Sequence, residues 1–282
     1  MYQSLLSSRQ LAAKALPPKA LGLYLSLHGS VEYFLAKELR ARSRVLLAEH
    51  LNIPPHTLSH QLYALQICQN LQRWSLPVDH AYWKKSSIRH EMVGEEHIHR
   101  CLSDGEGVIL LVSHFGPWLF LQHELELRGL APTLTYPLGW PHEPTVDIAS
   151  RMRFLRQARQ ALANNSIVGI MGDVGLVGVP GLGRMIELPF LGTKASFPIG
   201  GAVLAMRASS PLVPVFCLRQ ADGRHSIICT PPINPREYAG TESERAAGML
   251  ASYARRLEQM VKQYPQNAYS YLSFPIRVEA RT

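Results

Sequence analysis

The chain has 282 residues, of which 46% are hydrophobic and only 18% charged. Globular proteins carry about 25% charged residues, and disordered chains combine high charge with low hydrophobicity, so the composition excludes an intrinsically disordered protein. The 29 Lys and Arg residues outnumber the 21 Asp and Glu residues, which gives a net charge of +8. A basic balance on a charge-poor chain indicates an anionic partner: a nucleic acid, an anionic bilayer, a phosphorylated substrate or an acidic carrier protein.

The cysteines and the apolar runs give no sign of a metal site or of export. Cys68, Cys101, Cys217 and Cys229 lie far apart, without the CxxC spacing of a zinc site, so we expect no metal and reduced, mostly buried thiols. The sequence contains no uncharged apolar run of about 18 residues and no visible signal peptide. We therefore expect a cytoplasmic protein whose membrane contact, if it has one, is peripheral, on the inner face of the cytoplasmic membrane.

Residues 1–100 are predicted to be mainly helical. Apolar residues recur at approximately helical spacing from Gly22 to Leu51, and Pro54-Pro55 then interrupts the pattern. We expect this helical N-terminal region to pack on a core formed by residues 101–282, so that the chain makes one compact domain.

The core is predicted to be α/β, with a central, mostly parallel mixed sheet flanked by helices, because strand-like and helix-like segments alternate from Glu106 onward. Continuous apolar runs at 108–113 and 166–171 are typical of strands buried on both faces of a sheet. Further strands are predicted at 132–137, 212–218 and 225–230. Helices are predicted around 118–128, over 149–163, over 196–209, and from the capping box of Thr241 and Glu244 to about Lys262.

His114 is the first candidate for catalysis. It follows the predicted strand 108–113 directly, and open α/β sheets bind ligands at the carboxyl ends of their strands. A neutral imidazole at that edge could act as a general base on a hydroxyl or an amine. The alternative is a structural histidine, which is the ordinary role for most of the 12 His residues.

The run EMVGEEHIHRCLSDGEGVILLVSHFGPW at 91–118 resembles the first block of the bacterial lipid A biosynthesis acyltransferases, within the lysophospholipid acyltransferase-like superfamily. Residues 169–219 resemble a second block, in which a strand, an Asp-containing turn, a Gly-rich loop, an apolar run, a small-residue helix and another strand follow one another. The resemblance covers roughly residues 35–275. It implies a glycerolipid acyltransferase-like fold. It also implies that the protein moves an acyl chain from a thioester to a hydroxyl or amine acceptor, with His114 as general base and no cofactor.

The sequence departs from the family pattern at the carboxylates. The family's histidine is followed five positions later by an acid, but that position is Leu119 here, and Pro117 replaces an Asn of the block. The family usually has two acids in the later turn, where this chain has Asp173 and Gly175. Asp173 is either a turn-forming residue or a functional acid that approaches His114 across the sheet edge. The sequence does not decide whether another acid replaces the carboxylate that is missing at Leu119.

The resemblance also implies the remaining site residues. Arg151 is the closest match to an arginine that serves the active site in the family, so the expected catalytic set is His114, Asp173 and Arg151. The residues expected to bind substrate are Phe115, Gly116, Trp118, Arg153 and Gly175. For the arginines, the alternative is a solvated basic helix face.

The expected donor is an acyl carrier protein or coenzyme A thioester, and the expected acceptor is an anionic lipid or a carrier-bound molecule. The family's N-terminal membrane span is not expected here, for want of an apolar run long enough to form it. The basic residues are dispersed without a recognised motif, so no nucleic-acid partner is expected. The alternative function is a catalytically impaired protein of the same fold that binds an acyl carrier or lipid and supports a partner enzyme.

Overall fold

The computed structural model describes residues 90–118, 121–136, 148–176, 183–220 and 225–271, with scattered positions between residues 16 and 54. Most of the helical N-terminal region predicted for residues 1–100 therefore lies outside the described residues. The core predicted for residues 101–282 is described over most of its length.

Six strands form one sheet in the spatial order β1-β8-β7-β2-β4-β3. Their bounds are β1 His90–Val93, β2 Val108–Val112, β3 Leu134–Tyr136, β4 Ile167–Met171, β7 Leu212–Arg219 and β8 His225–Cys229. The pairs β1–β8, β7–β2, β2–β4 and β4–β3 are parallel, and the pair β7–β8 is antiparallel. The prediction of a central, mostly parallel mixed sheet is confirmed.

Helices cover both faces of this sheet. Their bounds are α1 Glu95–Ser103, α2 Leu121–Leu127, α3 Ile148–Ala163, α4 Gly200–Ala208 and α5 Glu242–Gln263. Apolar residues of α1 and α2 share one core cluster with Val108, Leu110 and Val112 of β2. Residues of α3, α4 and α5 share the other cluster with Ile109 and Leu111. All five residues of β2 are buried, because alternate side chains enter opposite core layers, which explains the uninterrupted apolar run in the sequence.

One predicted boundary is wrong. The helix expected over 196–209 begins only at Gly200, because residues before it form a hairpin of β5 (Met185–Phe190) and β6 (Thr193–Pro198). These strands pair in an antiparallel two-stranded sheet, with Phe190 opposite Thr193. Ala195 and Phe197 are buried two residues apart on the strand, a period of two that a helix does not have.

Other predicted elements agree closely with the structure. The predicted capping box of α5 is present, since Thr241 Oγ1 accepts from the Glu244 backbone N–H and Glu244 Oε2 accepts from the Thr241 backbone N–H. One element differs from the prediction: the sheet begins earlier than residue 101, because β1 lies within the stretch predicted to be helical.

Among the helices that the described ranges contain, none has both the length and the hydropathy to cross a membrane. Within the same ranges, no three His, Cys, Asp or Glu side chains group as metal ligands would.

The buried thiols lead to a labelling prediction. Burial raises the pKa of Cys101 to about 11 and that of Cys229 to about 12, and it also raises the pKa of Cys217. Because only the thiolate reacts, we expect a Cys68→Ser variant to react with a thiol reagent at pH 8 at least about 100-fold more slowly when folded than in denaturant. The folded rate should increase as the pH rises towards 11. Equal folded and unfolded rates, measured by mass spectrometry, would contradict this prediction.

Candidate functional site

The site lies at the carboxyl edge of β2 and β4, which are neighbouring parallel strands. Val112 at the end of β2 pairs with Met171 at the end of β4. His114 and Asp173 each lie two residues after these paired positions, so the two segments leave the sheet at the same level. The helix that follows β2, which is α2, packs on one face of the sheet, and the first helix after β4, which is α4, packs on the other. Such a switch point at the carboxyl edge is where open α/β sheets bind ligands.

Asp173 holds His114 through both carboxylate oxygens. Asp173 Oδ1 lies 2.8 Å from His114 Nδ1, and Oδ2 accepts a hydrogen bond of 2.6 Å from the backbone N–H of His114. The carboxylate is fully buried, whereas 11% of the His114 side chain is exposed. Because an ionised carboxylate only accepts hydrogen bonds, this contact places the imidazole proton on Nδ1 and leaves a lone pair on Nε2. A histidine in this state is suited to act as a general base.

The Trp118 ring packs against the imidazole from the side. The centroids of the two rings are 5.0 Å apart, and their planes meet at 72°, an edge-to-face arrangement. This contact and the bond to Asp173 restrict the imidazole from two directions. The structure thus brings together His114, Asp173 and Trp118 from the residues that the sequence singled out.

A tyrosine and an asparagine complete the site, and the sequence did not predict either. The hydroxyl of Tyr271 donates a 2.7 Å hydrogen bond to Asp173 Oδ2, across 98 residues of sequence. The backbone carbonyl of Asn267 accepts a 2.8 Å hydrogen bond from the N–H of Gly116. The Asn267 side chain also pairs with the backbone of Arg219 at the end of β7. No local motif marks residues that act only through contacts so distant in sequence.

Tyr253 of α5 lies beneath the same edge. Its hydroxyl donates to the carbonyl of Val112 at 3.5 Å. Burial, and then the negative charge of Asp173, raise the pKa of Tyr253 well above its usual value. The phenol therefore stays neutral and adds no second negative charge near the carboxylate.

The predicted substrate residues Phe115, Gly116 and Gly175 have evident packing roles. Phe115 is fully buried, and its ring meets that of Phe216 edge to face at 6.5 Å. A Cβ atom on Gly175 would lie 2.0 Å from the carbonyl oxygen of Ser196. Gly116 has a φ of +61° and is crowded by Cys217 in the same way. A contact of these three residues with substrate stays a prediction.

The two predicted site arginines lie in the first two turns of α3. Arg151 and Arg153 follow closely after Ile148, where the helix begins, and Arg153 is exposed. The contacts described for Arg153 include none with His114 or Asp173. Farther along α3, Arg156 and Arg159 line a surface groove with Arg207 of α4. The roles of Arg151 and Arg153 in the site stay predictions.

The carboxylate that the sequence lacks at position 119 has a counterpart in space. Leu119 itself lies outside the described residues, but Asp173 places a carboxylate against the imidazole from the neighbouring strand. The approach of Asp173 to His114 across the sheet edge, one of the two alternatives drawn from the sequence, is the arrangement observed. Glu124, a nearby acid in sequence, is buried in α2.

Comparison with known proteins gives a match to a family model and distant likenesses to solved structures. Residues 143–273, a little under half of the chain, match the family described as bacterial lipid A biosynthesis acyltransferase. Asp173 lies within the matched segment, and His114 lies before it. Among curated proteins, no sequence matches this chain.

One of these structural likenesses is to the crystal structure of the 1-acyl-sn-glycerophosphate (LPA) acyltransferase, PlsC, from Thermotoga maritima. The sequences are 17% identical, the TM-score is 0.39, and the alignment covers 87% of this chain and 99% of that chain. This likeness is too distant to carry an inference. The family match, by contrast, confirms the resemblance drawn from the sequence and implies acyl transfer from an acyl donor to a lipid acceptor in lipid biosynthesis. Over residues 143–273 the chain is therefore similar to the bacterial lipid A biosynthesis acyltransferases.

Proposed function

We propose that the protein transfers a fatty acyl chain from an acyl carrier protein or coenzyme A thioester to a hydroxyl or amine acceptor, with His114 as general base. The observation that carries this proposal is the 2.8 Å contact between His114 Nδ1 and a fully buried carboxylate oxygen of Asp173. This arrangement has the two parts that a histidine base needs, a lone pair on Nε2 and a group that fixes the tautomer.

The proposed reaction balances without a cofactor. Nε2 of His114 takes the proton of the acceptor hydroxyl as its oxygen attacks the thioester carbonyl, which forms a tetrahedral intermediate with a negatively charged oxygen. The intermediate collapses, the carbon–sulfur bond breaks, and the departing sulfur takes the proton from the imidazolium. The products are an ester and a free thiol, and His114 is neutral again.

Asp173 serves this cycle as a positioning residue rather than as a proton acceptor. It keeps the imidazole proton on Nδ1 before the attack and stabilises the positive charge of the imidazolium during it. The backbone N–H contact to Oδ2 fixes the carboxylate relative to the very residue that it orients. In this proposal Asp173, which follows the neighbouring strand β4, takes the role that the family gives to an acid five positions after the histidine.

The charge of the chain supports an anionic donor or acceptor. The net charge of +8 favours an acidic carrier protein or an anionic lipid headgroup, and arginines bind phosphate groups well. Arg151 and Arg153 are proposed to contact such groups, since they lie in the first two turns of α3, the next described element after β3. Work at the inner face of the cytoplasmic membrane is part of the same proposal.

The alternative is a protein that binds an acyl carrier or lipid without catalysis. The absence of acids at Leu119 and Gly175 favours it. The contact of Asp173 with His114 favours the enzyme, because it supplies the carboxylate whose loss was the main reason to expect impaired catalysis.

Purified protein with long-chain acyl thioesters separates these two functions. Acyl carrier protein and coenzyme A thioesters are each offered with lysophospholipid and lipid A precursor acceptors, and acylated product and free thiol are measured by mass spectrometry. We expect equal amounts of product and thiol from the wild type, and only the uncatalysed background from His114→Ala. A well-folded wild type that binds the acyl carrier protein and gives no product with any acceptor would support the non-catalytic alternative.

A further inference from the structure

The residues that follow α5 lie across the carboxyl edge of the sheet. We call Tyr264–Tyr271 the C-terminal strap; it contains two short 3-10 helices, Pro265–Asn267 and Tyr269–Tyr271. Within it, Asn267 holds the backbone of Gly116, two residues after His114, and Tyr271 reaches Asp173. The strap therefore contacts both halves of the candidate site.

The two oxygens of Asp173 have different partners. Among the described residues, the imidazole of His114 is the partner of Oδ1, whereas Oδ2 accepts from the backbone N–H of His114 and from the hydroxyl of Tyr271. The terminal torsion of an aspartate side chain is soft, so a single donor on Oδ2 restricts the rotation of the carboxylate only weakly. A second donor from another direction fixes the plane in which Oδ1 meets Nδ1. Hydrogen bonds to an ionised group are also stronger than those between neutral groups.

The hydroxyl of Tyr271 is itself held in place by packing. The residue is 2% exposed, and its ring meets that of Phe190 edge to face at 6.4 Å. Phe190 ends β5 and in turn contacts Phe197 of β6. The hairpin therefore packs against the ring of Tyr271, and the hydroxyl cannot move away from Asp173 without disturbing this packing.

We propose that Tyr271 is a positioning residue that orients Asp173 against His114 and so sets the geometry of the base. This inference rests on the proposed function for its effect on catalysis, while the contact itself can be tested without turnover. The residue acts through Asp173, and nothing in its placement requires it to touch substrate.

Tyr271→Phe removes the hydroxyl and keeps the ring and its contact with Phe190. We expect kcat for acyl transfer to fall about tenfold with little change in KM, since the loss of one charge-assisted hydrogen bond corresponds to roughly one power of ten in rate. Tyr264→Phe is the matched control, because this half-buried strap hydroxyl meets the side chain of Gln263 instead of the site. The control should retain wild-type kcat.

A spectroscopic measurement distinguishes positioning from a merely structural role. In histidine-labelled protein, the Nδ1–H of His114 should give a downfield proton resonance, identified by its absence from His114→Ala. We expect this resonance to shift or broaden in Tyr271→Phe and to stay in place in Tyr264→Phe. A fall in kcat with an unchanged resonance, or no change in either, would overturn the inference. If His114→Ala kept full activity while Tyr271→Phe moved the resonance, the positioning would stand and the proposed function would fail.

Discussion

Asp173→Asn is expected to lower kcat for acyl transfer by about 10³- to 10⁴-fold, the scale observed when a buried carboxylate beneath a catalytic histidine becomes an amide. The amide has nearly the shape of the carboxylate, but it carries no charge to stabilise the imidazolium. Its nitrogen also cannot accept from the donors that surround Asp173, which are the His114 ring, the His114 backbone and Tyr271. Steady-state kinetics with a saturating thioester donor measure the effect.

Two controls separate chemistry from folding in this experiment. Asp104→Asn makes the same change at an exposed position after α1 and should leave kcat unaltered. Asp173→Asn combined with His114→Ala should be no slower than His114→Ala alone, because residues that act as a unit lose their effect together. If Asp173→Asn slows the reaction equally in the presence and absence of His114, the two residues do not form a catalytic pair. Thermal melting shows whether each variant remains folded.

The displaced carboxylate illustrates what the reaction requires of the site. A histidine base needs a hydrogen-bond acceptor at Nδ1 and an accessible Nε2. The position of that acceptor in the sequence does not matter, provided that it lies beside Nδ1 in space. An acid five residues after the histidine meets this need from the same segment of chain. Asp173 supplies this acceptor from the turn after β4, because β2 and β4 are in a register that brings positions 114 and 173 to the same level. Loss of the family's acid at Leu119 therefore does not by itself imply loss of the carboxylate.

The strands of the site could be predicted from the sequence because both are uninterrupted apolar runs. Runs of this kind at β2 and β4, together with the rule that ligands bind at carboxyl ends, predict that His114 and Asp173 lie at one edge of the sheet. The resemblance to the family is what marks Asp173 as a candidate acid. The register between the strands could not be predicted, since a shift of one residue would leave both apolar runs unchanged. The 2.8 Å contact depends on that register.

The strap and the hairpin were beyond prediction for a related reason. Tyr271 and Asn267 act through contacts 98 and 48 residues away in sequence, with Asp173 and Arg219, and their own neighbours form only short 3-10 turns. The end of β6, residues 196–198, is predicted to be helical because small and apolar residues continue across Pro198 into α4. Only the pairing with β5 makes Thr193–Pro198 a strand, and local propensity does not contain that partner.

Gly116→Ala is expected to cost at least about 4 kcal/mol of unfolding free energy, among the largest effects of a single substitution in this chain. Gly116 follows His114 by two residues and has a φ of +61°, where a side chain is strained. An added Cβ would also lie 1.9 Å from the carbonyl oxygen of Cys217 and 3.1 Å from Oδ1 of Asn267. Backbone cannot move aside as a flexible side chain can, so either the turn after His114 or the end of β7 must shift.

Gly129→Ala is the matched control, because it separates the collision from the backbone strain. Gly129 has a φ of +69°, close to that of Gly116, but apart from its chain neighbours no described residue has an atom within 4 Å of an added Cβ. Its replacement should therefore cost only the strain of the left-handed conformation, about 1 kcal/mol. Urea unfolding of both variants measures the difference, which we attribute to the carbonyl of Cys217. Similar costs at the two positions would mean that the turn after His114 accommodates a side chain, and the close packing of Gly116 against β7 would then have no part in holding the site.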